Sequence, residues 1–263
     1  GRDPTHDRAL PRPVRPLAMI RAAVLSFLGV VVFAAPALAN QCTNPDITIS
    51  APPLSGSDQR AFVEKFRTEL TKVCTWWDGD FTGPYRIEIE DSRGTSMALI
   101  PAWRGNRGQV IFRMRTIRQG NSPITHEIVH AVAPNGNRFL AEGLATHAHD
   151  TLGGQSAFPN FGNDLHARAR QFANDADMPA LEGLAVPARL QLPDLQPQGA
   201  YLVAGSFVRF LIETHGMEKF RALYAMTPLV TRGRFAGLPM RWEDIYGLTF
   251  NEIVDAWRSR IDG

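Results

Sequence analysis

The sequence predicts an α+β fold, with a small N-terminal mixed sheet and helices followed by a mostly helical C-terminal half. Three observations carry this. Segments with apolar residues at every second position are confined to residues 46–114. Apolar spacings of three and four dominate from residue 123 onward. Cap and stop residues stand where those helices need to begin and end. With 44% hydrophobic and 21% charged residues, the 263-residue chain can build one sizeable core.

Asp46 to Ala51 alternates apolar and polar residues as a half-buried strand does, and Pro52-Pro53 ends it. Ser57 is placed to cap a helix reaching about Val73, whose buried face carries Phe62, Phe66, Leu70 and Val73. Trp76 and Trp77 follow as lids on the core. Tyr85 to Glu90 alternates again, with Tyr85, Ile87 and Ile89 on one side. Met97 to Trp103 and Gln109 to Met114 add two further strands, separated by the turn-forming run Arg104-Gly105-Asn106-Arg107-Gly108.

The run His126-Glu127-Ile128-Val129-His130 is an H-E-x-x-H motif. On a helix, imidazoles four residues apart stand one above the other, about 6 Å apart along the axis, and can grip one ion. Glu127, one step around, can then reach a water on that ion. Ser122 is available as a cap and Pro123 suits the first helical position, where no donor is missed. Pro134 and Asn135-Gly136-Asn137 stop the helix and turn the chain.

Arg138 to His149 forms a second helix, and an antiparallel hairpin brings Glu142 to the height of His130. Glu142 is therefore the favoured third ligand for one zinc ion, since two imidazoles and a carboxylate leave one tetrahedral position open. His147, His149 and Asp150 compete for that role, although His149 lies roughly 10 Å further along the axis. Thr146, one turn beyond Glu142, is either a partner to a ligand histidine or a neutral surface residue.

Residues 151–198, rich in Gly, Pro, Asn and Asp around a short helix at Asp164 to Ala173, read as an irregular cover. Tyr201 to Thr214 is a strongly apolar helix stopped by Gly216, and Met217 to Met226 is a shorter one. In the last helix Thr249 and Glu252 form a capping box and Leu248 and Ile253 a staple, with Trp257 and Ile261 facing the core.

Residues 1–18 read as an upstream extension without structure, 19–39 as a signal peptide cleaved after Ala37-Leu38-Ala39, and 40–263 as a single domain with an α+β half (40–120) and a helical half (121–263). The formal charge of +2 comes from residues 1–39, which hold five arginines and two aspartates; without them 23 basic and 24 acidic side chains remain. That balance excludes a nucleic-acid partner of the basic-patch kind. Cleavage would leave no stable membrane span and deliver the chain to the periplasm or the medium. There Cys42 and Cys74, the only two cysteines, can pair in a disulfide; the rival is two buried free thiols.

With HEIVH at 126–130, Phe139-Leu140-Ala141-Glu142-Gly143-Leu144-Ala145, the run Tyr201-Leu-Val-Ala-Gly-Ser-Phe-Val-Arg-Phe-Leu and the ending Tyr246-Gly-Leu-Thr-Phe-Asn-Glu-Ile-Val-Asp-Ala-Trp, the chain resembles gluzincin metallopeptidases of the peptidase MA-like group over roughly residues 108–260. The resemblance implies a zincin-like fold, zinc on His126, His130 and Glu142, Glu127 as general base in peptide hydrolysis, and Tyr201 as a donor to the developing oxyanion. It also implies a strand beside the metal helix that pairs with an extended peptide or protein substrate, for which Val110 to Met114 is the candidate edge. Thr146 departs from the thermolysin-like pattern, which has an acidic residue there. Two other function classes stand beside this one: a non-catalytic envelope binding or scaffold domain on the same fold, and a hydrolase of a cell-wall amide.

Overall fold

The computed structural model describes residues 46–51, 54–79, 84–99, 108–178, 195–226 and 241–263. The predicted upstream extension and signal peptide, Cys42, the end of the 97–103 strand and most of the 104–108 turn lie outside the described residues.

The fold is α+β, a four-stranded mixed sheet with a covering helix followed by a mostly helical half. β1 (Ile47–Ser50), β2 (Tyr85–Glu90), β3 (Met97–Leu99) and β4 (Gln109–Arg113) lie in the order β1-β2-β4-β3. β1 to β2 and β2 to β4 are parallel, while β3 runs antiparallel to β4 with Ala98 opposite Val110. Parallel neighbours need a crossover. α1 (Gly56–Trp77) supplies the one between β1 and β2. Its Phe62, Phe66, Leu70 and Val73 are buried as their spacing requires, with Phe66 edge-on to Tyr85 and Phe112 of the sheet.

Two local expectations are corrected here. The cap of α1 is Ser55, two residues before Ser57, and its hydroxyl accepts from the Asp58 amide, because the helix already begins at Gly56. Among the described strands the edges are β1 and β3, whereas β4, which holds Val110, lies between β2 and β3 and pairs with both. Met114 has left the strand and opens the short helix α2 (Met114–Arg118).

The helical half is built on α3 (Ile124–Val132), α4 (Arg138–Thr151), α5 (Leu165–Ala173), α6 (Pro197–His215), α7 (Met217–Tyr224), α8 (Trp242–Tyr246) and α9 (Phe250–Asp262). Every residue of α3 is buried, between α1 and the sheet on one side and α4 on the other. The α9 capping box of Thr249 and Glu252 is formed as expected, and Trp257 is fully buried with its indole donating to Ser206. Trp76 and Trp77 are half-buried lids. Trp77 packs edge-on to Tyr224 and lies under the Arg221 guanidinium.

α4 and α6 approach closely because each offers a glycine to the other. A Cβ on Gly143 would lie 2.6 Å from the Ala204 carbonyl oxygen and 2.6 Å from Val208 Cγ2, and one on Gly205 would lie 2.6 Å from Thr146 Cγ2. The obstacle at Gly143 is backbone, which cannot swing aside. Gly143→Ala is therefore expected to destabilise the protein by about 1–3 kcal/mol through overpacking, read as a lowered denaturant midpoint. Wild-type stability in that variant would mean the two helices can part without cost. Among the described residues no helix is long and apolar enough to cross a membrane.

Candidate metal centre

α3 and α4 form the hairpin that the motif spacing calls for. Ala133 and Pro134 end the first helix, and Asn137 opens the second by accepting from the Leu140 amide at 3.1 Å. Ser122 does not cap α3: its hydroxyl is buried without a hydrogen-bond partner, and Pro123 occupies the cap position. The start of α3 is held from behind instead. Thr125 donates to the buried Glu69 of α1 at 2.9 Å, and Lys72 donates to the same carboxylate at 2.9 Å. The turn is pinned from α7, where Tyr224 donates its hydroxyl to the Ala133 carbonyl at 2.7 Å and accepts at its own carbonyl from Asn135 at 2.6 Å.

This frame brings His126, His130 and Glu142 together. The two Nε2 atoms lie 3.2 Å apart, and each is 3.1 Å from Glu142 Oε2. All three residues are buried, and their donor atoms can hold one metal ion. The triangle has the right size for zinc, since ligands about 2.1 Å from an ion at tetrahedral angles stand about 3.4 Å from one another. The donor set also has the right chemistry. Burial lowers His126 to about 4, which keeps the imidazole in the neutral form that a metal takes. Burial alone would raise Glu142, but His130, hydrogen bonds from both imidazoles and Arg138 outweigh it and hold the carboxyl well below the usual range.

Arg138, one turn before Glu142, pairs with Oε1 and leaves Oε2 alone facing the imidazoles. This arginine is a further residue of the site that the motif does not name. Its signal was available, because a guanidinium four residues before a carboxylate on a helix meets it. Nothing comparable steadies His126 from behind: its Nδ1 is buried without a hydrogen-bond partner among the described residues.

The rival ligands point elsewhere. His147 meets Thr151 at 3.1 Å and packs edge-on to Trp76, while His149 Nε2 donates to the Gln155 carbonyl at 2.6 Å. Asp150 accepts from Asn160 at 2.6 Å. The Thr146 hydroxyl is buried with no hydrogen-bond partner, so it does not support a ligand histidine; the residue serves α4–α6 packing through its methyl group.

Glu127 is buried beside the triad, and burial pushes its carboxyl up to about 7 against the pull of His130 and of a hydrogen bond from the Ala98 amide. That amide belongs to β3, so the edge strand runs next to the candidate base. Both His126 and Glu127 line a cleft of about 670 Å³, which is also bounded by Thr95, Arg115, Phe158 and Tyr201. The Tyr201 ring lies 6.2 Å from that of His126. No family model, curated protein or solved structure matches the chain.

Proposed function

We propose that the protein is an exported zinc-dependent peptidase of the gluzincin kind, hydrolysing peptide bonds in the cleft beside α3. The observation that supports this best is the convergence of three buried donor atoms at 3.1–3.2 Å from two adjoining helices, with a buried carboxylate one residue from the first of them. Zinc, when bound, supplies the Lewis acidity that polarises a carbonyl and makes water acidic enough to lose a proton near neutrality. His126, His130 and Glu142 hold it, and Arg138 keeps the carboxylate turned so that one oxygen faces inward.

Glu127 takes the proton from the attacking water and passes it to the leaving amine. The Ala98 amide favours the ionised form of that carboxylate. Tyr201, on the cleft wall beside His126, donates to the oxyanion that develops on the scissile carbonyl. The free edge of β3 gives an extended substrate main-chain partners next to Glu127. Export follows from the reading of residues 19–39 as a signal, and the Cys42–Cys74 bridge from the oxidising compartment it implies. Cys74 is buried near the end of α1.

The test is incubation of the purified protein with unfolded casein and, separately, with cell-wall fragments, before and after chelation. Chelator-sensitive cleavage of casein, restored by zinc, is the expected result. Cleavage of wall fragments alone would move the reaction to a non-protein amide. Zinc uptake without cleavage of either would leave a binding domain.

A further inference from the structure

The two walls of the cleft differ in chemistry. From Ser92 to His126 the chain carries six arginines and no lysine, aspartate or glutamate. Arg113 is neutralised, since its guanidinium pairs with Glu90 and donates to Ser92 and to the Thr95 carbonyl. Arg93, Arg115 and Arg118 are exposed, and none has an ion-pair partner among the described residues. Arg115 lines the cleft itself. Among the residues that line the cleft Arg115 is the one guanidinium and the buried Glu127 the one carboxylate, and an exposed guanidinium attracts carboxylates most strongly where the rest of the lining is apolar.

The facing wall is aromatic. Phe158 and Phe161 are 41% and 47% exposed, two of only three large hydrophobic side chains left so open among the described residues. From the His126 ring the row runs outward through Tyr201 at 6.2 Å, Phe158 at a further 5.4 Å and Phe161 at a further 6.3 Å. The loop that carries the two phenylalanines is held in place. Asn160 donates to Asp150 of α4 at 2.6 Å, Gln198 of α6 donates to the Pro159 carbonyl at 2.7 Å, and Ser156 donates to the Phe161 carbonyl at 2.7 Å. An exposed apolar surface fixed this firmly beside a candidate active site is suited to binding.

We infer that the cleft selects peptides in which an acidic side chain lies close to a bulky apolar one, the carboxylate meeting Arg115 and the apolar group lying on Phe158 and Phe161. This names the substrate class of the peptidase proposed above and rests on that reading. The carboxylate gains a guanidinium that has no ion-pair partner among the described residues, and the apolar group covers rings that are otherwise exposed.

The test uses zinc-loaded Glu127→Gln protein, so that peptides are bound and not consumed. Fluorescein-labelled peptides of alanine and glycine carry one phenylalanine next to glutamate, glutamine or lysine, and anisotropy gives the affinities. The glutamate peptide is expected to bind about tenfold more tightly than the lysine peptide, with glutamine between them and the spread shrinking in high salt. Arg115→Glu should reverse the order. Phe161→Ala should weaken all three severalfold and leave the order intact. Equal affinities, or an order unchanged by Arg115→Glu, would overturn the inference. Cleavage by the wild type separates the two readings. Binding in the expected order without hydrolysis by the zinc-loaded wild type retains the ligand class and removes the peptidase, whereas equal hydrolysis of all three peptides does the opposite.

Discussion

Zinc-loaded Glu127→Gln is expected to hydrolyse unfolded protein about two to four decades more slowly than wild type while keeping its metal. Glutamine has the same shape and can still accept from the Ala98 amide. It cannot take a proton. The carboxyl it replaces is well tuned for that task, since burial raises it to about 7 in the metal-free site and a base works best when its pKa is near the working pH. A cation beside it favours the ionised form and shifts it back down. Because the base acts as the carboxylate, kcat/KM of the zinc-loaded enzyme should fall on the acid side, with an apparent pKa lower than that of the metal-free site, and this limb should disappear in the variant. Unchanged activity would remove Glu127 from the mechanism.

The same substitution has a second readout that does not depend on turnover. In the metal-free protein the folded-state pKa of Glu127 stands above its ordinary 4.5, at about 7. Its contribution to stability is therefore fully present below pH 4.5 and is lost as the pH rises through about 7. Glutamine does not titrate. Metal-free Glu127→Gln should thus gain on wild type between about pH 5 and about pH 8, by at most about 3 kcal/mol. A difference independent of pH would place the carboxylate in contact with water and undo the case for a buried base.

Much of this arrangement was legible in the chain because local rules governed it. The buried face of α1, the hairpin of α3 and α4 and the box at Thr249 each depend on residues within one or two turns of one another. The height match of His130 and Glu142 followed from helical rise alone. Sheet order did not, because the place of β4 between β2 and β3 depends on pairing between distant segments. The aromatic wall was hidden for a related reason: Phe158 and Phe161 sit in a loop whose position is set by Asp150 and Gln198, far from them in sequence or on another helix. The cap of α1 falls on Ser55, two residues before the expected Ser57, because the helix starts earlier than its apolar spacing alone requires. Gly143 and Gly205 stand in the sequence only as parts of the runs Glu142-Gly143-Leu144-Ala145 and Ala204-Gly205-Ser206-Phe207. Their physical role, letting α4 and α6 touch backbone to side chain, needed the packing to be seen.

The largest loss is expected on removing a donor of the triad. His126→Ala and Glu142→Ala should each lower zinc affinity by a hundredfold or more in competition with a chromophoric chelator, beyond the roughly 10–100-fold typical of groups that only orient a ligand. His149→Ala should leave the affinity unchanged, because that ring is committed to the Gln155 carbonyl. Arg138→Gln belongs between these limits: it frees Glu142 Oε1 to turn and removes a positive charge that holds the carboxylate ionised. The series orders the residues by their distance from the ion, and an order that failed in one place would identify the error. Equal losses for Glu142→Ala and His149→Ala would mean the hairpin presents a different face to the metal. Full affinity in His126→Ala would mean that the buried triangle, despite its spacing, is held together by its hydrogen bonds alone.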